Sequence, residues 1–165
     1  MGPFDILAEQ HRELEEQIEA LTSEEALEEP EVKADQLQAL TALLEQHARL
    51  EERHLRPLLA RVEGRIAARE EAEDHLAMVE LAEELQELEP GEEEWWARLT
   101  ALEDLIVAHV RQEEAETFPR LSSLLGQDEQ EALRRALWSQ HEQWLSSTGP
   151  MSASGPLLDE PRGEV

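Results

Sequence analysis

Apolar residues recur at helical spacing from near the start of the chain. Leu7, Leu14, Ile18 and Leu21 lie seven, four and three residues apart, the intervals of one helix face, and predict a helix from about Phe4 to Leu21. A loop with Pro30 as its breaker follows. Leu37, Leu40, Leu44 and Leu58 then carry a second helix from about Glu31 to Val62. Gly64 marks the next break, and a third helix runs from there to about Leu88. The turn "EPGEEE" leads into an acidic first helical turn, which suits the positive end of a helix dipole. It opens a fourth helix from about Glu92 to Leu125, with Gly126 expected as its C-cap. Asp128 with Glu131 suggests the capping pattern of a shorter fifth helix ending near Leu145.

Long helices with short connections predict an all-α chain, an antiparallel up-down-up-down four-helix bundle with a short fifth helix. The bundle is expected over residues 1–147. The Gly-, Pro- and Ser-rich remainder, residues 148–165, is expected to be a flexible, disordered tail. Leu, Ala, Glu, Arg and Gln dominate and Tyr is absent, so strands have little support.

The stripes are not purely apolar. The first continues through His11. The second runs Leu44, His47, Glu51, His54, Leu58. The third offers His75, Val79 and Ala82, and the fourth Ile106, His109 and Glu113. Each of the four helices therefore turns a histidine inward, and two add a glutamate one turn later. A lone His-x-x-x-Glu means little in a chain this rich in glutamate; three occur, at His11/Glu15, His47/Glu51 and His109/Glu113. The informative feature is a repeat. His47-x-x-x-Glu51-Glu52-x-x-x-x-Pro57 returns 62 residues later as His109-x-x-x-Glu113-Glu114-x-x-x-x-Pro119. A further histidine precedes each copy, His11 by 36 residues and His75 by 34. The chain reads as two helical hairpins of one plan.

Residues four apart share a helix face. A buried carboxylate is tolerated only when paired or coordinated. Arginines could pair with Glu51 or Glu113 but do not explain four inward imidazoles; a bundle whose buried polar residues hydrogen-bond one another is the alternative to a metal site. Neutral imidazoles are metal ligands. Four nitrogen donors and two carboxylates without sulfur suit iron or manganese, with zinc as a further candidate.

Charge and composition narrow the partners. Forty acidic residues against fourteen basic ones give a formal net charge of −26, with Lys33 the single lysine. So acidic a chain should repel nucleic acid and anionic membranes and attract divalent cations. The absence of cysteine excludes disulfides, thiolate metal sites, iron–sulfur clusters and cysteine nucleophiles. "MGPFDILAEQHRELEEQ" lacks a signal-peptide pattern and no apolar run reaches membrane-spanning length, so the cytoplasm is the expected location.

The doubled motif resembles the hemerythrin family, the HHE cation-binding domains, over roughly residues 5 to 125. The resemblance implies four antiparallel helices around two non-haem iron ions with an oxo or hydroxo bridge. It makes His11, His47, His75 and His109 terminal ligands and Glu51 and Glu113 bridges. Oxygen-carrying members have a fifth histidine one turn after the helix-three ligand, where this chain has Val79; Glu15 is a candidate for the missing ligand. The departure weakens the inference of reversible oxygen carriage. What remains is binding or sensing of O2 or NO, or handling of iron. The alternatives are a di-iron oxidase, peroxidase or stress-repair enzyme, and a metal-free interaction bundle.

Overall fold

The computed structural model describes residues 1–23 and 29–148. All the regular structure among them is helical. Helix α1 is Asp5–Thr22. Helix α2 is continuous through three segments, Pro30–Leu50, a π-helical Glu51–Leu55, and Arg56–Glu63. Helix α3 is Arg65–Leu85. Helix α4 repeats the plan of α2 as Glu93–Gln112, a π-helical Glu113–Thr117, and Phe118–Leu124. Helix α5 is Gln127–Thr148. Helices α1 to α4 form the expected up-down-up-down bundle, and α5 lies along α1 and α2. Among the described residues no helix is long and apolar enough to cross a membrane.

The two π turns begin at the glutamates of the doubled motif. In each, an N–H donates to a carbonyl five residues back, Arg56 to Glu51 and Phe118 to Glu113. A proline follows at once, Pro57 and Pro119. Proline cannot donate to the carbonyl four residues earlier and its ring crowds that carbonyl. A widened turn just ahead of it relieves the conflict, and such turns gather at functional sites. The extra residue also shifts the inward register. A regular helix would bring His54 and Leu58 inside; instead Leu55 and Leu59 are buried, and half-buried His54 meets Gln140 of α5 through Nε2 at 2.8 Å.

The caps differ from expectation in one place. Gly64, between α2 and α3, has φ 102°, a left-handed conformation that glycine alone adopts without strain. Gly126 has no such angle. Helix α4 ends on an extended Leu125 instead, with φ −91° and ψ 139°. Gly126 starts α5, its carbonyl accepting from Gln130 N–H at 2.9 Å and its N–H donating to Glu129 Oε1 at 3.3 Å. Glu129 thus takes the capping role expected of the Asp128 and Glu131 pair, while Glu131 binds Arg134 and Arg135 on the surface of α5. The expected tail lies, from residue 149 on, outside the described residues.

Burial divides the interior into two apolar clusters. One joins Leu14, Ile18 and Leu21 to Leu40, Leu44, Met78, Leu85, Trp95, Leu99 and Ile106. The other joins Phe4 and Leu7 to Leu50, Leu55, Phe118, Leu121 and the α5 residues Leu133 and Leu137. In α1, α2 and α4 the inward histidines and glutamates fall where the helix passes from one cluster to the other; α3, which joins the first cluster alone, adds His75, and together they form one polar layer across the bundle. At the far end of the first cluster, buried Lys33 donates to the carbonyls of Leu21 and Ser23, the latter at 3.0 Å, closing the C-terminus of α1. Its ammonium lies 5.9 Å from the Trp95 ring and 5.7 Å from the Trp96 ring.

Candidate metal centre

The six residues singled out by the doubled motif converge. His11, His47, Glu51, His75, His109 and Glu113 are all buried, and His109, the most accessible, is 6% exposed. Glu51 divides its two oxygens. Oε1 lies 2.7 Å from His75 Nε2 and 3.6 Å from His109 Nε2, and Oε2 lies 3.0 Å from His47 Nε2. Glu113 Oε1 lies 3.0 Å from His11 Nε2, 3.1 Å from His109 Nε2 and 3.9 Å from His47 Nε2.

Proximity here is not hydrogen bonding throughout. Both oxygens of Glu51, Oε2 of Glu113 and both ring nitrogens of His75 are buried without an aligned hydrogen-bond partner. The 2.7 Å contact between His75 and Glu51 is close but not along a donor direction. Buried carboxylate oxygens in that condition carry a desolvation penalty of about 1–3 kcal/mol or more each. Donors that crowd together without bonding to one another fit a cation between them.

Two imidazoles are oriented from behind. His47 Nδ1–H donates to Oε1 of buried Gln10 at 2.8 Å. His11 Nδ1–H donates to Glu114 Oε2 at 2.8 Å. Both partners are acceptors at those atoms, so each ring turns Nε2 toward the centre, the arrangement that fixes a metal-binding tautomer. Phe118 lies flat on the His11 ring, with centroids 5.7 Å apart and planes 5° apart, and Phe4 stacks on Phe118 at 4.6 Å. Phe118 therefore walls the centre as well as filling the core.

A seventh residue joins the group. Glu71 of α3, one turn before His75, is half-buried, and its Oε1 is buried without a partner. The donors fall into two sets, His11, His47, Glu51, His109 and Glu113 on one side and Glu51, Glu71, His75 and Glu113 on the other. Within each set the donor atoms lie within 4.8 Å of one another. Glu51 and Glu113 belong to both. The nitrogen donors divide three to one rather than evenly, and Glu71 supplies the poorer set with a further carboxylate. Glu15, in contrast, is exposed and lies outside both sets. Leu14 and Ile18 take the inward positions of that turn. Val79 is half-buried against the first apolar cluster. Glu52 is exposed and 3.8 Å from Arg56. His141 sits between Trp138 and Trp144 on α5, away from the centre.

The charged groups of the cluster shift one another. Burial works against a charged His47, but the Glu51 and Glu113 carboxylates outweigh it and push the imidazole up to about 10. His109 is raised in the same way, against burial, by Glu113 and Glu51. Burial opposes ionisation of Glu113, yet His109, His11 and His47 hold it well below the usual carboxylate range. Glu51 is lowered too, against both burial and Glu113, by His47 and His75. Glu71 goes the other way: burial and then the charges of Glu51 and Glu113 push it up to about 9.

Residues 2–121 match the family model of the hemerythrin HHE cation-binding domain, and the chain belongs to that family. Neither a curated protein nor a solved structure matches it. The family and the buried histidine–glutamate layer together fit a metal-binding site.

Proposed function

We propose that this protein holds two non-haem iron ions at a carboxylate-bridged centre and uses them in the cytoplasm to bind or sense O2 or NO, or to handle iron. The observation that carries the reading is the sharing of Glu51 and Glu113 between two adjacent donor sets. Each carboxylate has buried oxygen that no hydrogen bond satisfies. In this reading Glu51 and Glu113 bridge; His11, His47 and His109 hold one ion; His75 and Glu71 hold the other. Nitrogen and carboxylate donors without sulfur favour iron, with manganese and zinc as weaker fits. Bound there, the ions would supply redox chemistry and a coordination position for a small molecule.

The residues of the chain argue for the direction of that chemistry. Glu71 takes the place that a fifth histidine holds in oxygen carriers, from the turn before His75 rather than the turn after it. An anionic oxygen donor favours the ferric state over the ferrous one. Phe118 and the two apolar clusters exclude water from both ends of the layer. Stopped-flow mixing of the reduced, iron-loaded protein with air tests this. The expected outcome is quick, one-way oxidation. An absorbance change that reverses when oxygen is withdrawn would sink the argument and restore oxygen carriage.

An oxidase or peroxidase is the second reading. It is favoured by a cavity of about 380 Å³ that reaches His109 and Glu113 from solvent, room for a substrate. Multiple turnovers with peroxide or Fe(II) would select it.

A further inference from the structure

The cavity itself has a chemistry that neither reading uses. It opens between the end of α2, the start of α3 and the second half of α4. Glu63, Glu70, Glu71 and Asp74 line it, with His109 and Glu113 at its inner end. No lysine or arginine is among the lining residues. Exposure falls along it: Glu70 and Asp74 are exposed, Glu63 and Glu71 half-buried, and Glu113 is 1% exposed. Of these, Glu63 is already engaged, 2.9 Å from Arg120. Glu113 Oε2 is buried and without a hydrogen-bond partner at the inner end. Elsewhere the layer is closed: His11, His47 and Glu51 are no more than 1% exposed, and apolar clusters cover it above and below.

We infer that this acid-lined cavity is the route by which a divalent cation reaches the centre, with Glu70 and Asp74 gathering it at the mouth and Glu71 passing it to Glu113. The inference rests on the metal-centre reading and adds the path of loading. A cleft lined by one sign of charge focuses the field and raises the local concentration of the opposite ion. An anion would be repelled from the same mouth, and neutral dioxygen would be indifferent to it. The physical signature is therefore a loading rate that depends on the mouth carboxylates and on salt, beside an equilibrium that does not.

Co(II) is a suitable probe, since its visible absorbance reports coordination without oxidation. Metal-free wild type, E70Q/D74N and E16Q/E19Q are mixed with Co(II) in a stopped-flow instrument at low salt and at about 0.5 M salt, where exposed charges are screened beyond about 4 Å. Glu16 and Glu19 are exposed on α1, which does not border the cavity, so the control removes the same two charges elsewhere. The expected result is about ten-fold slower loading in E70Q/D74N at low salt, little change in the control, and convergence at high salt. Final stoichiometry should be equal in all three. Equal rates for the two variants would overturn the route and leave the centre intact. A lowered stoichiometry in E70Q/D74N would overturn it too, by making the mouth residues ligands. Wild type that takes up no Co(II) at equilibrium would remove both the route and the centre.

Discussion

Glu71→Gln should lower by about one the number of protons released when the centre fills, since a ligand must shed its proton to bind. In the metal-free protein Glu71 titrates at about 9 and His47 at about 10. At pH 7.5 both therefore carry a proton almost fully. A metal ion needs the Glu71 carboxylate and the neutral His47 ring, so about two protons must leave. Two protons correspond to a rise of about 100-fold in overall affinity per pH unit, or about 2.7 kcal/mol, up to roughly pH 9. Glutamine has no proton to lose there, so the variant should gain only about ten-fold per unit if His47 alone remains coupled. Calorimetric titration with Co(II) in buffers of differing ionisation enthalpy counts the protons directly. An observed enthalpy that is independent of buffer would refute the reasoning. A proton count unchanged in Glu71→Gln would refute the placement of Glu71 among the ligands.

Gln10→Ala and Glu114→Ala should each weaken metal binding by about 10- to 100-fold while leaving the fold intact, because they free the His47 and His11 rings to turn; competition with a chelator measures this. Metal-free protein should lose stability as pH rises. The folded value of His47, about 10, lies above its ordinary 6.5, so its contribution is complete below 6.5 and lost as pH climbs to 10. Glu71 runs from 4.5 to about 9 with the same sign. The gap in thermal stability between loaded and empty protein should widen over that range, and melts taken from pH 6 to pH 9 at about unit intervals would show a constant gap if the argument fails. Lys33→Met should cost about 1–3 kcal/mol by removing the hydrogen bonds to the Leu21 and Ser23 carbonyls, with no change in metal content. A melting temperature that does not move would mean that water replaces the ammonium.

The bundle and its inward histidines were legible because both rest on spacing. His11, His47, His75 and His109 occur where the stripe demands an apolar residue, and chance does not repeat that in four helices. The π turns were hidden because an inserted turn leaves no gap in the sequence; it only changes which later residues face inward. That is why His54 and Leu58 read as core while Leu55 and Leu59 fill it. The prolines of the doubled motif were the available signal. Glu71 was hidden in "REEAEDH", where its neighbours Glu70, Glu73 and Asp74 are solvated and composition cannot pick out the one that is not. Its spacing of four before His75 was the clue, mirrored from the His-x-x-x-Glu order of the other helices. Glu15 holds that more familiar order and is exposed, because Leu14 takes the inward side of α1 after His11. Gln10 could be found only by asking which residue stands behind His47.

The central claim is that Glu51 and Glu113 each serve two metal ions. Metal-free protein titrated with Fe(II) under anaerobic conditions, desalted and analysed for iron, tests it most directly when Glu51→Ala, Glu113→Ala and His75→Ala are run beside wild type. The expected result is about two iron atoms per chain in wild type, close to none in either glutamate variant, and partial occupancy in His75→Ala. A glutamate variant that kept a full complement, or a wild type that stopped at one iron per chain, would contradict it.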